Sequence, residues 1–137
     1  MTDTILTTLP NGLRLALHPM PATYSASVVV AIGTGSRYED DARAGISHFL
    51  EHMLFKGTTR RPSAQLIADT VERLGGRFNA GTSREITSYY TKVPSRHVDV
   101  GLDLLADMLR ESLLDEAEVE REKGVIVEEI AQGEDVP

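Results

Sequence analysis

Residues 48–52 read His-Phe-Leu-Glu-His. Two histidines four positions apart act as a pair only if the segment is helical. On an α-helix they differ by about 40° around the axis and stand one turn apart. Glu51 then projects from the same turn. This frame requires a helix from Gly45 to about Phe55 that packs on one side and stays open on the other. Ile46, Leu50, Met53 and Leu54 repeat at helical spacing and supply the packed stripe. His48 and His52 lie roughly opposite its centre. Gly57 is a natural C′ residue to end the helix.

Two imidazoles so arranged can bind one metal ion, and Glu51 is close enough to handle a proton on a water. His-x-x-Glu-His is the reverse of the familiar zinc-protease helix order. The bland alternative is a pair of surface histidines beside an ordinary acid. A catalytic zinc usually takes three protein ligands. The chain has no cysteine, so the third must be His, Asp or Glu. His18 and His97 are isolated and read as satisfied or solvated side chains.

The better source is Glu120-Arg121-Glu122-Lys123-Gly124-Val125-Ile126-Val127-Glu128-Glu129-Ile130. Read as a helix, it has Val119, Ile126 and Ile130 on one apolar face. Glu122 and Glu129, two turns apart, border that face, while Glu128 points nearly opposite. A carboxylate on the packed side needs a partner, because an unpaired buried charge is costly. Glu129 is therefore assigned as the third ligand. Glu122 is assigned to hold a ligand histidine in its tautomer. Glu116, Glu118, Glu120 and Glu128 fit a solvated acidic face.

HFLEHMLFKGT, GGRFNAGTSREITSYY and EREKGVIVEEI together resemble the pitrilysin/insulinase-type zinc peptidases in order and spacing. TTLPNGLRLAL and VVVAIGTGSRYED are similar to the family as well, so the resemblance covers essentially the whole chain. Among members it is most similar to bacterial proteins related to the mitochondrial processing peptidase β subunit. The resemblance implies one zinc per chain, with His48, His52 and Glu129 as ligands. It implies Glu51 as the catalytic base and Glu122 as the additional acidic residue of the site. It also implies that Asn79 and Ala80 lie on a strand that binds extended peptide beside the metal. Family members are much longer, with a second, related half that closes over the site. Residues 1–137 are thus expected to be the N-terminal portion of a pitrilysin-type domain.

The rest of the sequence fits an α+β fold: a mixed or antiparallel sheet packed with helices. Pro10-Asn11-Gly12 is a turn before a strand over Leu13–Leu17, which His18-Pro19-Met20-Pro21 breaks. Ser25–Ile32 reads as a buried strand. Gly33-Thr34-Gly35-Ser36 is a loop, too short in its glycine spacing for phosphate binding. A second helix runs from Ser63 to Leu74, with Leu66, Ile67, Thr70, Val71 and Leu74 inward. Arg77–Ala80 and Ile86–Val93 form a hairpin. A third helix follows Pro94 with Val98, Leu102, Leu105 and Leu109 toward the core. A fourth starts near Asp115, where Asp115 and Glu118 have capping-box spacing.

Composition sets the outer limits. A 41% apolar and 26% charged content is ordinary for a globular protein. A net charge of −7 argues against general nucleic-acid binding. Without cysteine there is no disulfide and no thiol catalysis. No apolar run has transmembrane length, and no secretory or Arg-rich targeting segment is visible, so a cytoplasmic location is expected.

The expected activity is endoproteolysis of peptides or unfolded protein segments. Two alternatives stand beside it: a zinc-binding fragment or subunit that needs its second half or a homologous partner, and an interaction domain without metal. Apolar surface left uncovered would favour self-association.

Overall fold

The computed structural model describes residues 3–134, with side chains described to residue 131. The order of elements is β1 (Ile5–Thr8), β2 (Arg14–Leu17), β3 (Ser25–Ile32), α1 (Ile46–Met53), α2 (Ala64–Glu72), β4 (Arg77–Thr82), β5 (Thr87–Pro94), α3 (Val98–Glu111) and α4 (Glu116–Glu134). Short 3-10 turns cover Ser36–Tyr38, Asp41–Arg43 and Ser95–His97. The fold is α+β, and every strand pairing is antiparallel.

β1 and β2 form their own hairpin around the Pro10-Asn11-Gly12 turn. Gly12 takes φ 87°, and Asn11 Oδ1 accepts the Leu13 N–H at 3.1 Å. The sequence reading found β2 and missed β1, whose Ile5-Leu6-Thr7-Thr8 is too short to show a period. Both strands are exposed along their whole length.

The main sheet has the order β3-β5-β4. Its helix-covered face follows the period-2 rule. Tyr89 and Val93 of β5 are buried there, with Val28 and Val30 of β3 and Phe78 and Ala80 of β4 packed around them. Leu54, Ile67, Val71, Leu104, Leu105 and Met108 complete the core from the helices. β3 is half-buried on one face only, because Val29 is 59% exposed; the expectation of a buried strand fails there.

α3 keeps Leu105 and Leu109 toward the core as read and differs from its sequence reading at Val98 and Leu102. Gly101, Leu104, Leu105 and Met108 face the sheet, while Val98 and Leu102 are exposed. Gly101 explains the choice. A Cβ there would meet Thr91 Oγ1 at 2.6 Å, so only glycine lets α3 approach β5 this closely. In α2, Ile67 and Val71 are buried as expected, and Leu66 is not.

The loop after α1 is tied down by charge. Asp107 on α3 has a fully buried side chain. It accepts from Thr58 Oγ1 at 2.7 Å, from Arg60 Nε at 2.9 Å and from Arg61. Asp103, one turn earlier, pairs with both arginines. Burial alone pushes the Asp107 carboxyl up. The hydrogen bonds from Thr58, Arg60 and Arg61, with the Arg61 charge, outweigh that and hold it below the usual carboxylate range. This cluster ties the loop after α1 to α3.

Candidate metal centre

α1 begins at Gly45, which takes φ 89° and offers no side chain to cap the helix. Glu39 does so from the preceding loop. Its Oε2 accepts the Gly45 N–H at 2.6 Å and its Oε1 accepts the Ser47 N–H at 2.8 Å. A carboxylate at a helix N-terminus also meets the positive end of the helix dipole. Hydrogen bonds from Ser47 and Gly45 hold the Glu39 carboxyl below its ordinary value. Met53 and Leu54 bury the C-terminal half of the expected stripe. Ile46 and Leu50 remain about half exposed and line an open apolar cavity of about 460 Å³ with Ile32, Tyr89, Leu109 and Leu114. The stripe is therefore packed at one end only.

α4 starts as read: Asp115 Oδ1 accepts the N–H groups of Ala117 and Glu118. Glu118 does not close the capping box; it pairs with Arg121 instead. α4 packs on α1. Glu122 is buried at 2% exposure, Ile126 is buried at 8% and Val119 is half-buried. Ile130 is 57% exposed, so the apolar face ends before it. The Glu129 side chain is 47% exposed and borders the open side rather than the packed one. The carboxylate driven to find a partner by burial is Glu122, not Glu129.

The structure brings the two distant segments together. His48 Nε2 and His52 Nε2 are 3.0 Å apart, with the rings nearly perpendicular at 87°. Glu129 Oε2 lies 3.7 Å from each of these nitrogens. The three donor atoms all fall within 4.8 Å of one another, the one such His/Cys/Asp/Glu group among the described residues. A tetrahedral site with zinc–nitrogen bonds of about 2.0–2.1 Å has edges of about 3.3 Å, and the observed separations bracket that length. Two imidazoles and one carboxylate are also a donor set that suits zinc. The residues present fit a divalent ion.

Glu122 supports this group from behind. Its Oε1 lies 2.8 Å from His52 Nδ1, and its Oε2 lies 2.5 Å from Lys56 Nζ. Burial pushes the Glu122 carboxyl up, and the hydrogen bonds and charges of Lys56 and His52 hold it low all the same. An ionised Glu122 accepts a hydrogen bond from the Nδ1–H and so leaves the His52 Nε2 lone pair facing Glu129. Glu51 accepts a hydrogen bond from Thr82 at the end of β4. Nearby Tyr89 has its hydroxyl pushed up to about 12 by burial and by the Glu51 charge.

Asn79 and Ala80 sit on β4, the edge of the sheet beside α1. The Asn79 side-chain oxygen accepts the Ala80 N–H at 2.9 Å, so that N–H points away from β5 toward the open edge. His18 and His97 lie apart from the cluster. His18 Nδ1 meets Thr4 Oγ1 at 3.0 Å, and His97 Nε2 accepts from Arg96. Lys56, Thr82 and Glu39 were not singled out in the sequence. Lys56 has a signal in hindsight, being one turn beyond His52. Thr82 has one as the polar member of the inward series Phe78, Ala80, Thr82.

The chain has relatives among known proteins. The family described as insulinase (Peptidase family M16) matches residues 14–137, and the chain belongs to that family. It is 50% identical over 130 residues to the uncharacterized zinc protease YmxG of Bacillus subtilis, covering 95% of this chain and 32% of that protein. It is 46% identical over 132 residues to the probable mitochondrial-processing peptidase subunit beta of Arabidopsis thaliana, covering 96% of this chain and 25% of that one. Among solved structures, a protease from Helicobacter pylori superposes with a TM-score of 0.88 at 35% identity, covering 93% of this chain and 31% of that chain. The chain therefore spans about a quarter to a third of the length of these relatives.

Proposed function

We propose that this chain carries the metal-binding and proton-transferring part of a zinc-dependent endopeptidase, and that residues 1–137 are the N-terminal portion of its domain. The observation that carries the reading is the convergence of His48, His52 and Glu129, with Glu122 behind His52. The zinc-protease names of the relatives support it.

His48, His52 and Glu129 would hold one zinc ion. When bound, zinc supplies Lewis acidity, lowering the pKa of water toward neutrality and polarising a peptide carbonyl. The other steps belong to the chain. Glu122 keeps His52 in the tautomer with a free Nε2. Glu51 takes the proton of the attacking water and passes it to the leaving amine. The free edge of β4 receives an extended peptide by backbone hydrogen bonds, which selects for unfolded segments rather than for sequence. There the Asn79 side chain occupies the Ala80 N–H that a substrate carbonyl would otherwise reach. The substrate class is peptides or extended protein segments.

The test is zinc content together with cleavage of an unstructured peptide, wild type against Glu51→Gln. The variant keeps its zinc and loses hydrolysis by about 100-fold or more. Wild-type cleavage by Glu51→Gln overturns the base assignment.

A second reading has its own support: a chain that binds zinc but needs a further half or a homologous subunit to cleave. His48 and Glu129 are 39% and 47% exposed at the side chain, so this chain by itself leaves the site open to water. An open site positions a substrate poorly. Cleavage assayed with this chain alone and with its continuation or partner separates the two readings. Metal content separates both from a metal-free interaction domain. The exposed β1–β2 leucines make self-association of the isolated chain the expected behaviour.

A further inference from the structure

Glu51 is held on one side only. Thr82 donates its hydroxyl proton to Glu51 Oε2, and among the described residues Oε1 has no hydrogen bond. Thr82 Oγ1 lies 3.3 Å from Thr87 Oγ1, directly across the β4–β5 ladder. With its single proton given to Glu51, Thr82 can only accept in that contact, and Thr87 has one proton to share between Thr82 and the Thr34 carbonyl. Thr87 is 2% exposed, and its hydroxyl is also 3.2 Å from the Thr34 carbonyl. A line of oxygens therefore runs from Glu51 into the buried end of the sheet.

The placement follows from the strand. β4 turns Phe78, Ala80 and Thr82 toward the helices, and Thr82 is its last residue. Phe78 and Ala80 join the apolar core there. A β-branched apolar residue would fill the third position equally well. The Thr82 hydroxyl adds one thing that packing does not use, a donor aimed at Glu51.

We propose that Thr82 is a positioning residue for Glu51. It fixes Oε2 and leaves Oε1 as the oxygen that takes and returns the proton. A long glutamate side chain otherwise samples several rotamers, and small misplacements of a reacting group are costly in rate. The proposal rests on the reading of Glu51 as the base.

The experiment compares the zinc-loaded protein with Thr82→Val, Thr82→Ala, Thr82→Ser and Glu51→Gln. It measures kcat and KM on an unstructured peptide, zinc content, and the Glu51 side-chain orientation in crystal structures. The expected result is that Thr82→Val and Thr82→Ala lower kcat about tenfold while KM and zinc content stay within about twofold. Thr82→Ser restores kcat, and the Glu51 carboxylate leaves its single orientation only in the two variants without a hydroxyl. The proposal is overturned if either folded hydroxyl-free variant keeps both wild-type kcat and the wild-type orientation. It is also overturned if serine fails to rescue. Hydrolysis by Glu51→Gln at the wild-type rate identifies a different failure, that of the base assignment, and takes this proposal with it. The orientation measurement needs no turnover, so it judges the Thr82 contact by itself.

Discussion

His52 Nδ1 and Glu122 Oε1 are 2.8 Å apart although 70 residues separate them in sequence. This contact joins α1 to α4 and fixes which nitrogen of His52 is free. Glu122→Gln keeps the shape but exchanges a charged acceptor for an amide that can turn its NH2 toward Nδ1. We expect the variant to bind zinc about 10- to 100-fold more weakly. Competition with a chelator of known affinity measures it. An unchanged affinity would mean that Glu122 serves only the packing of α4.

Asp107 makes acid stability a second test. Its carboxyl is held below the usual range in the folded chain, so its contribution is fully present above the unfolded value near 3.8. That contribution is lost as pH falls through the lower, folded value. Asp107→Asn leaves Arg61 without its buried partner and should cost about 3 kcal/mol at neutral pH. The gap between wild type and variant should narrow below about pH 4. Urea titrations at pH 7 and pH 3 check this. A gap that is constant across that range would contradict the assignment.

The sequence was informative where a period and a chemical need coincided. The frame of His48, Glu51 and His52 dictated a helix, and α1 occupies Ile46–Met53. The spacing of Glu122 and Glu129 led to two acids on one side of α4, and both reach the histidines. Burial drives Glu122 to a partner but not Glu129, whose side chain is 47% exposed. A helix face fixes direction but not depth, and depth depends on what α1 covers. The phase of α3 held at Leu105 and Leu109 and failed at Val98 and Leu102 for a related reason. Val98-Leu102-Leu105-Leu109 and Gly101-Leu104-Leu105-Met108 are both helical stripes. Only the close approach of Gly101 to Thr91 selects between them. Contacts such as Glu39 to Ser47 and Lys56 to Glu122 join elements that no local pattern links.

Thr91 offers a stability prediction of opposite sign. Its side chain is fully buried on β5, and Oγ1 has no hydrogen-bond partner among the described residues. Leaving a buried hydroxyl unpaired costs about 1 kcal/mol or more. Thr91→Val keeps the branched shape and removes the unpaired oxygen. It should raise stability by about 1 kcal/mol in chemical denaturation. A loss of stability would show that the hydroxyl is satisfied in solution.

The central claim is that His48, His52 and Glu129 hold one metal ion, with the neighbouring Glu128 uninvolved. The direct measurement is zinc stoichiometry and affinity for Glu129→Gln beside Glu128→Gln. We expect wild type and Glu128→Gln to bind one zinc per chain with the same affinity, and Glu129→Gln to bind at least about tenfold more weakly. Equal binding by the two variants would contradict the account.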